Sequence, residues 1–140
     1  MSSEVLHNVS VQRSRNMSAI KSKNTKPEIA VRKLLHSLGY RFRLHRKDLP
    51  GSPDIVLPKY KTVIFVHGCF WHRHANCKYA STPKTRKEFW DSKFKANVKR
   101  DLEIQEKIIN IGWQSVVIWE CELKNYEKLK KSLIHSIKFV

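Results

Sequence analysis

The sequence predicts an α/β fold with a small mixed sheet flanked by helices. Three observations predict it. Residues 54–57, 62–66 and 113–119 are apolar runs of strand length. Residues 25–38, 86–111 and 125–138 carry apolar positions at helical spacing. Pro, Gly and Asn punctuate the boundaries, and no internal repeat or low-complexity linker intervenes. A length of 140 residues supports one domain. Residues 1–12 read as a loose tail and 13–140 as the domain.

The elements follow in order. Residues 13–24 are basic and read as a short helix or arm. Thr25-Lys26-Pro27-Glu28 is a helix start: a Thr cap, Pro in the first turn, and Glu three residues after the cap. Ala30, Val31, Leu34, Leu35 and Leu38 continue the helix, and Gly39 ends it. Residues 40–44 alternate apolar and basic side chains, as a half-buried strand does. Residues 48–53 are a turn cluster, residues 54–57 a short strand, and Pro58 turns the chain into residues 62–66. That last run is apolar on both faces and is expected to be a central strand. Residues 67–85 have no period. Helix 86–111 is expected to bury a stripe of Val98, Leu102, Gln105, Ile108 and Ile109. Gly112 ends it, strand 113–119 follows, and helix 125–138 closes the chain.

Charge narrows the partners. The chain has 28 Lys+Arg against 12 Asp+Glu, a net charge of +16. Such a surface attracts polyanions, and nucleic acid is the first expectation. No apolar run approaches the ~20 residues that span a bilayer. The N-terminus lacks the apolar stretch of a secretory signal, so a soluble, cytoplasmic protein is expected. Residues 1–47 hold eleven Lys/Arg and only Glu4 and Glu28 as acids. A lone acid on a helix in so basic a region raises the question of its use.

Four constellations carry chemistry. Cys69, His74 and Cys77 lie close in sequence, and Cys121 stands at the end of a later strand. An odd thiol count in an intracellular chain argues against a disulfide framework. Three thiolates and one imidazole make a tetrahedral zinc site, which would staple the irregular 67–85 segment to the sheet. His72 is also spaced to serve as the imidazole ligand. The competing reading makes Cys121 a buried core thiol. Second, Asp54 stands after a turn at the start of a strand, with Glu28 on the first helix. A strand-borne carboxylate can hold Mg²⁺ against a scissile phosphate, although Pro-Asp is common in turns and a capping Glu needs no catalytic role. Third, His67 and His72 can act as general base or acid if Glu28 and Asp101 fix their tautomers. Fourth, Phe70, Trp71 and Trp90 are bulky aromatics amid basic residues, suited to stacking on bases or wedging between them. Trp90, Lys93, Asn97 and Asp101 fall on one helix face, which reads as a DNA-facing edge.

These blocks together are recognisable. Residues 13–20 (Arg-Ser-Arg-Asn-Met-Ser-Ala-Ile), Thr25-x-x-Glu28, Leu49-Pro-Gly-Ser-Pro-Asp54, Val63-Ile-Phe-Val-His-Gly-Cys-Phe-Trp-His72, Thr85-Arg-Lys-Glu-Phe-Trp90, Asn97-Val-x-Arg-Asp101 and Trp119-Glu-Cys121 stand in order. The chain resembles the very-short-patch repair (Vsr) DNA mismatch endonucleases from about residue 13 to residue 130. The resemblance implies a restriction-endonuclease-like core with a structural zinc. It implies a Mg²⁺-dependent nick 5′ of the T in T:G mismatches, which arise when 5-methylcytosine deaminates. Carried onto this sequence, Asp54 is the metal-binding carboxylate and Val66 supplies a backbone carbonyl to the same ion. His72 is the general base, with Glu28 nearby to orient it. His67 sits on the metal-bound water network, with Asp101 behind it. Cys69, His74, Cys77 and Cys121 hold zinc; the two residues Ala75-Asn76 make this loop one residue longer than the family's pattern. Phe70, Trp71 and Trp90 wedge into the duplex, Met17 presses from the minor-groove side, and Lys93 and Asn97 contact base edges or phosphates. A monomer is expected, working with repair proteins and alongside a cytosine-5 DNA methyltransferase. Two other readings compete: a sequence-specific nuclease on paired duplex, and a non-catalytic zinc-stapled DNA-binding module.

Overall fold

The computed structural model describes residues 24–138. The expectations placed on the tail, the basic arm and Met17 fall outside that range. The elements in chain order are helix α1 (Lys26–Ser37), strands β1 (Arg43–Leu44) and β2 (Ile55–Leu57), a 3-10 turn (Pro58–Tyr60), strand β3 (Thr62–His67), helix α2 (Lys87–Asn110), strand β4 (Gln114–Trp119), a second 3-10 turn (Glu120–Lys124) and helix α3 (Tyr126–Ser136). The sheet order is β1-β2-β3-β4. β1 and β2 pair antiparallel, as do β2 and β3, whereas β3 and β4 are parallel. A parallel pair needs a crossover, and α2 supplies it. The sheet is therefore mixed, with β3 central.

The alternation of strand side chains explains the unbroken apolar runs. Ile55, Leu57 and Ile64 pack on one face with Val31 and Leu35 of α1 and Leu129 and Leu133 of α3. Val56, Val63 and Phe65 face the other way, against Ile108 of α2. Helices cover both faces, so no position of β2 can be polar, and each fully buried Leu or Ile contributes about 1.5–3 kcal/mol. Thr25 caps α1: its hydroxyl accepts from the Glu28 backbone N–H at 3.3 Å.

The turn before β2 fixes where Asp54 stands. Gly51 has φ +76°, and a Cβ there would lie 2.5 Å from Cγ2 of Ile104. Only glycine allows both that backbone and that approach to α2. The turn is thereby pressed onto the helix that also carries Asp101.

Two expectations are corrected. The strand expected over residues 40–44 is a two-residue edge, both residues exposed. A short edge offers little ladder to another chain. The stripe expected on α2 is not its buried face. Ile108 is buried, but Leu102 is 65% exposed and Ile109 64% exposed. The buried positions are Trp90, Phe94 and Ile108. The early half of α2 packs on the aromatics of the 67–85 segment rather than on the sheet, so the periodicity of the whole helix averages two different partners. Among the described residues, no helix is long and apolar enough to cross a membrane.

Candidate active site

β2 and β3 run antiparallel, so the start of β2 meets the end of β3. Asp54 precedes β2, and its Oδ2 accepts the Val66 backbone N–H at 2.8 Å. On an extended strand the N–H and C=O of one residue point to the same side. The Val66 carbonyl therefore points to the same side as its N–H, toward Asp54. A cleft of about 670 Å³ opens here, lined among others by His45, Asp54, Val66, His67, His72 and Asp101. Burial raises the Asp54 pKa above the usual carboxylate value. The Val66 N–H opposes that rise, followed by the nearby charges of His45, His72 and Arg32. A half-buried carboxylate under this strain accepts a cation readily, and oxygen donors suit Mg²⁺.

The histidines divide between two carboxylates, in an arrangement that corrects the expected pairing. His72 Nδ1 lies 2.7 Å from Oδ2 of Asp101. Glu28 is bound instead to His45, whose Nε2 is 2.9 Å from Glu28 Oε2, and to Arg32. Asp101 thus stands behind His72 rather than behind His67, and Glu28 orients His45 rather than His72. The physical reason is the sheet: α1 and α2 cover opposite faces, and each presents its acid to the imidazole on its own side. His67 stacks on His72, ring centroids 3.8 Å apart and planes 4° apart. Burial pushes the His67 pKa down to about 4, and His72 reinforces this while Asp101 opposes it. His67 is therefore neutral at neutral pH.

His45 escaped the sequence reading. Its partners lie 17 residues upstream and 9 downstream, and no local motif links them. Arg73 was missed too. It donates to the carbonyls of Phe70 (3.3 Å), Ala80 (3.0 Å) and Ser81 (3.1 Å), and its guanidinium lies 4.0 Å from the Phe94 ring centroid. It gathers the 67–85 segment onto α2.

Beside the cleft, one ligand atom from each of Cys69, His74, Cys77 and Cys121 lies within 4.8 Å of the others. His74 Nδ1 is 3.4 Å from Cys121 Sγ. Zinc bonds of about 2.0 and 2.3 Å at tetrahedral angles put such a pair roughly 3.5 Å apart. The donor set therefore fits zinc. Burial pushes the Cys69 thiol up to about 12 and raises Cys121 as well. Three thiolates this close repel one another unless a cation offsets them. The structure groups His74, not His72, with the thiols. The His74 ring also stacks on Trp119, centroids 4.2 Å apart.

The aromatic residues form a cluster. Phe70 contacts Trp71, Trp90 and Phe94, with centroid distances of 5.3, 5.8 and 5.3 Å. Trp90 is only 5% exposed and packs beneath Phe70 and Trp71 in the DNA-free protein. Asn97 donates through Nδ2 to the Trp71 carbonyl at 3.1 Å, so its donor is committed to holding the loop. Lys93 is exposed. The edge expected from Trp90, Lys93, Asn97 and Asp101 therefore separates into a core ring, a surface cation, a loop tether and a partner of His72.

A half-buried carboxylate and a carboxylate-backed imidazole in one cleft of a strongly basic chain have the chemistry of a DNA-cleaving nuclease. Comparison with known proteins agrees. The family described as DNA mismatch endonuclease Vsr matches residues 6–78. Type II nicking enzyme V.XorIIP of Xanthomonas oryzae pv. oryzae is 52% identical over 117 residues, covering 84% of this chain and 85% of that protein. Type II nicking enzyme V.NmeAIP of Neisseria meningitidis is 48% identical, covering 81% of each. DNA mismatch endonuclease Vsr of Escherichia coli is 44% identical, covering 84% of this chain and 74% of that protein. The chain belongs to the Vsr DNA mismatch endonuclease family.

Proposed function

We propose that this endonuclease nicks the T-containing strand 5′ of the T in T:G mismatches left by deamination of 5-methylcytosine, and so starts very-short-patch repair. The observation that carries the reading is the meeting of Asp54 with the His72–Asp101 pair in one cleft of a basic Vsr-family chain. Asp54 and the Val66 carbonyl would hold Mg²⁺, which neutralises charge developing on the phosphate and makes bound water more acidic. Asp101 accepts the Nδ1 hydrogen of His72 and leaves Nε2 free to take a proton from the attacking water. The water oxygen bonds to phosphorus as the bond to the 3′ oxygen breaks. His67, held neutral, stacks on His72 and keeps its ring in register. Cys69, His74, Cys77 and Cys121 would hold a structural zinc.

The substrate reading gives the aromatic cluster its use. Phe70 and Trp71 lie half-buried on a rigid base of Trp90 and Phe94. They would wedge beside the mismatch, where unstacking costs least. Lys93 would meet a phosphate. Trp71→Ala is expected to weaken T:G duplex affinity by about 1–3 kcal/mol without changing the melting temperature greatly. Unchanged affinity in a fluorescence-anisotropy titration would return Trp71 to a packing role. The source of the mismatch implies work alongside a cytosine-5 DNA methyltransferase. The decisive test is a nicking assay with Mg²⁺ on strand-labelled duplexes carrying T:G or T:A in randomised flanks. Cleavage of the T strand of T:G duplexes alone is expected. Cutting of paired duplex would instead make the protein a restriction-like nuclease.

A further inference from the structure

The Glu28–His45 pair takes no part in the mechanism above. Glu28 is 1% exposed, whereas His45 lines the cleft beside Asp54. A carboxylate this buried needs its charge met. Arg32, the Asn24 backbone N–H (3.1 Å) and His45 Nε2 (2.9 Å) meet it. An ionised carboxylate only accepts, so Nε2 of His45 carries a hydrogen and donates. Glu28 thus holds this ring from behind, as Asp101 holds His72. The backbone adds a second lock. His45 has φ +49°, uncommon outside glycine, and its N–H donates to the Asp54 carbonyl at 3.3 Å. One ligand-type atom from each of Glu28, His45 and Asp54 lies within 4.8 Å of the others. Arg32 already offsets Glu28, so the three are poorly suited to a cation of their own. What remains is a brace against Asp54.

We propose that His45 is a further positioning residue of the nicking reaction: anchored by Glu28, it fixes the carboxylate of Asp54 where the metal is bound. The inference rests on the reading of Asp54 as the metal-binding carboxylate.

Two substitutions isolate the side chain. His45→Gln keeps an N–H at the reach of Nε2. His45→Asn tolerates positive φ better but is too short to reach Glu28. A merely structural role would make Gln at least as damaging as Asn; the positioning role reverses that order. Mn²⁺ binding to the protein alone, followed by electron paramagnetic resonance, is expected to weaken ~10-fold in His45→Asn and little in His45→Gln. Single-turnover nicking of a T:G duplex should fall by ~10-fold or more in His45→Asn at unchanged duplex affinity. Wild-type Mn²⁺ binding by His45→Asn, equal loss in both variants, or no Mn²⁺ binding by the wild type overturns the proposal. Mn²⁺ binding that depends on His45 in a protein that nicks no T:G duplex would leave the brace standing and remove the substrate reading.

Discussion

Asp54→Asn is expected to abolish nicking and leave mismatch binding in place. The effect is large because the carboxylate would carry the cation that supplies several kcal/mol of transition-state stabilisation. At about 1.4 kcal/mol per tenfold, a fall of at least ~10³-fold in single-turnover rate follows. Asn is the cleaner choice over Ala, because its amide oxygen can still accept the Val66 N–H that Asp54 accepts at 2.8 Å. Ala would strand that donor, at a cost of about 1–3 kcal/mol. Stability should move the other way. Burial raises the Asp54 pKa in the fold, so the charged form is destabilising there above its unfolded value. A neutral amide removes that burden, and thermal unfolding without metal should show Asp54→Asn at or above the wild-type melting temperature. Loss of duplex binding, or a fall in melting temperature matching the loss of rate, would make Asp54 structural.

This tension between the site and the fold also marks where the sequence was legible. β2 and β3 were readable because both faces are buried and the apolar runs are unbroken. The start of α1 was readable because the Thr25 cap is local chemistry. The stripe of α2 was not, because its early half answers to Phe70 and Trp71 rather than to the sheet. Asp54, Val66, His67, His72 and Asp101 of the cleft were named from the sequence, yet their pairing was not. Which carboxylate reaches which imidazole depends on the sheet face each helix covers, and spacing along the chain is silent on that. His45 shows the same limit: its contacts with Glu28 and Asp54 exist only once β1 is paired to β2.

Breaking the thiol cluster should cost both stability and activity, and in a different pattern from Asp54→Asn. The segment after β3 threads Cys69, Phe70, Trp71, His72 and His74 in close succession. The proposed wedge and the proposed base are therefore strung between candidate zinc ligands, and Cys121 at the end of β4 would tie them to the sheet. The segment has no periodic apolar face to order itself. Its order rests on Arg73, the Asn97 tether and the proposed zinc. Metal binding of this kind is folding free energy. Cys121→Ser is expected to lower zinc content, measured by mass spectrometry, and to reduce Tm by roughly 10 °C or more. With the loop loosened, His72 leaves Asp101 and Phe70 leaves its base, so nicking and mismatch affinity should fall together. That joint loss would separate a staple from a catalytic group, since Asp54→Asn is expected to spare binding. Full zinc content with unchanged melting in Cys121→Ser would take Cys121 out of the cluster. A zinc-free wild type of unchanged stability would show that the segment is held by Arg73 and the aromatic cluster alone.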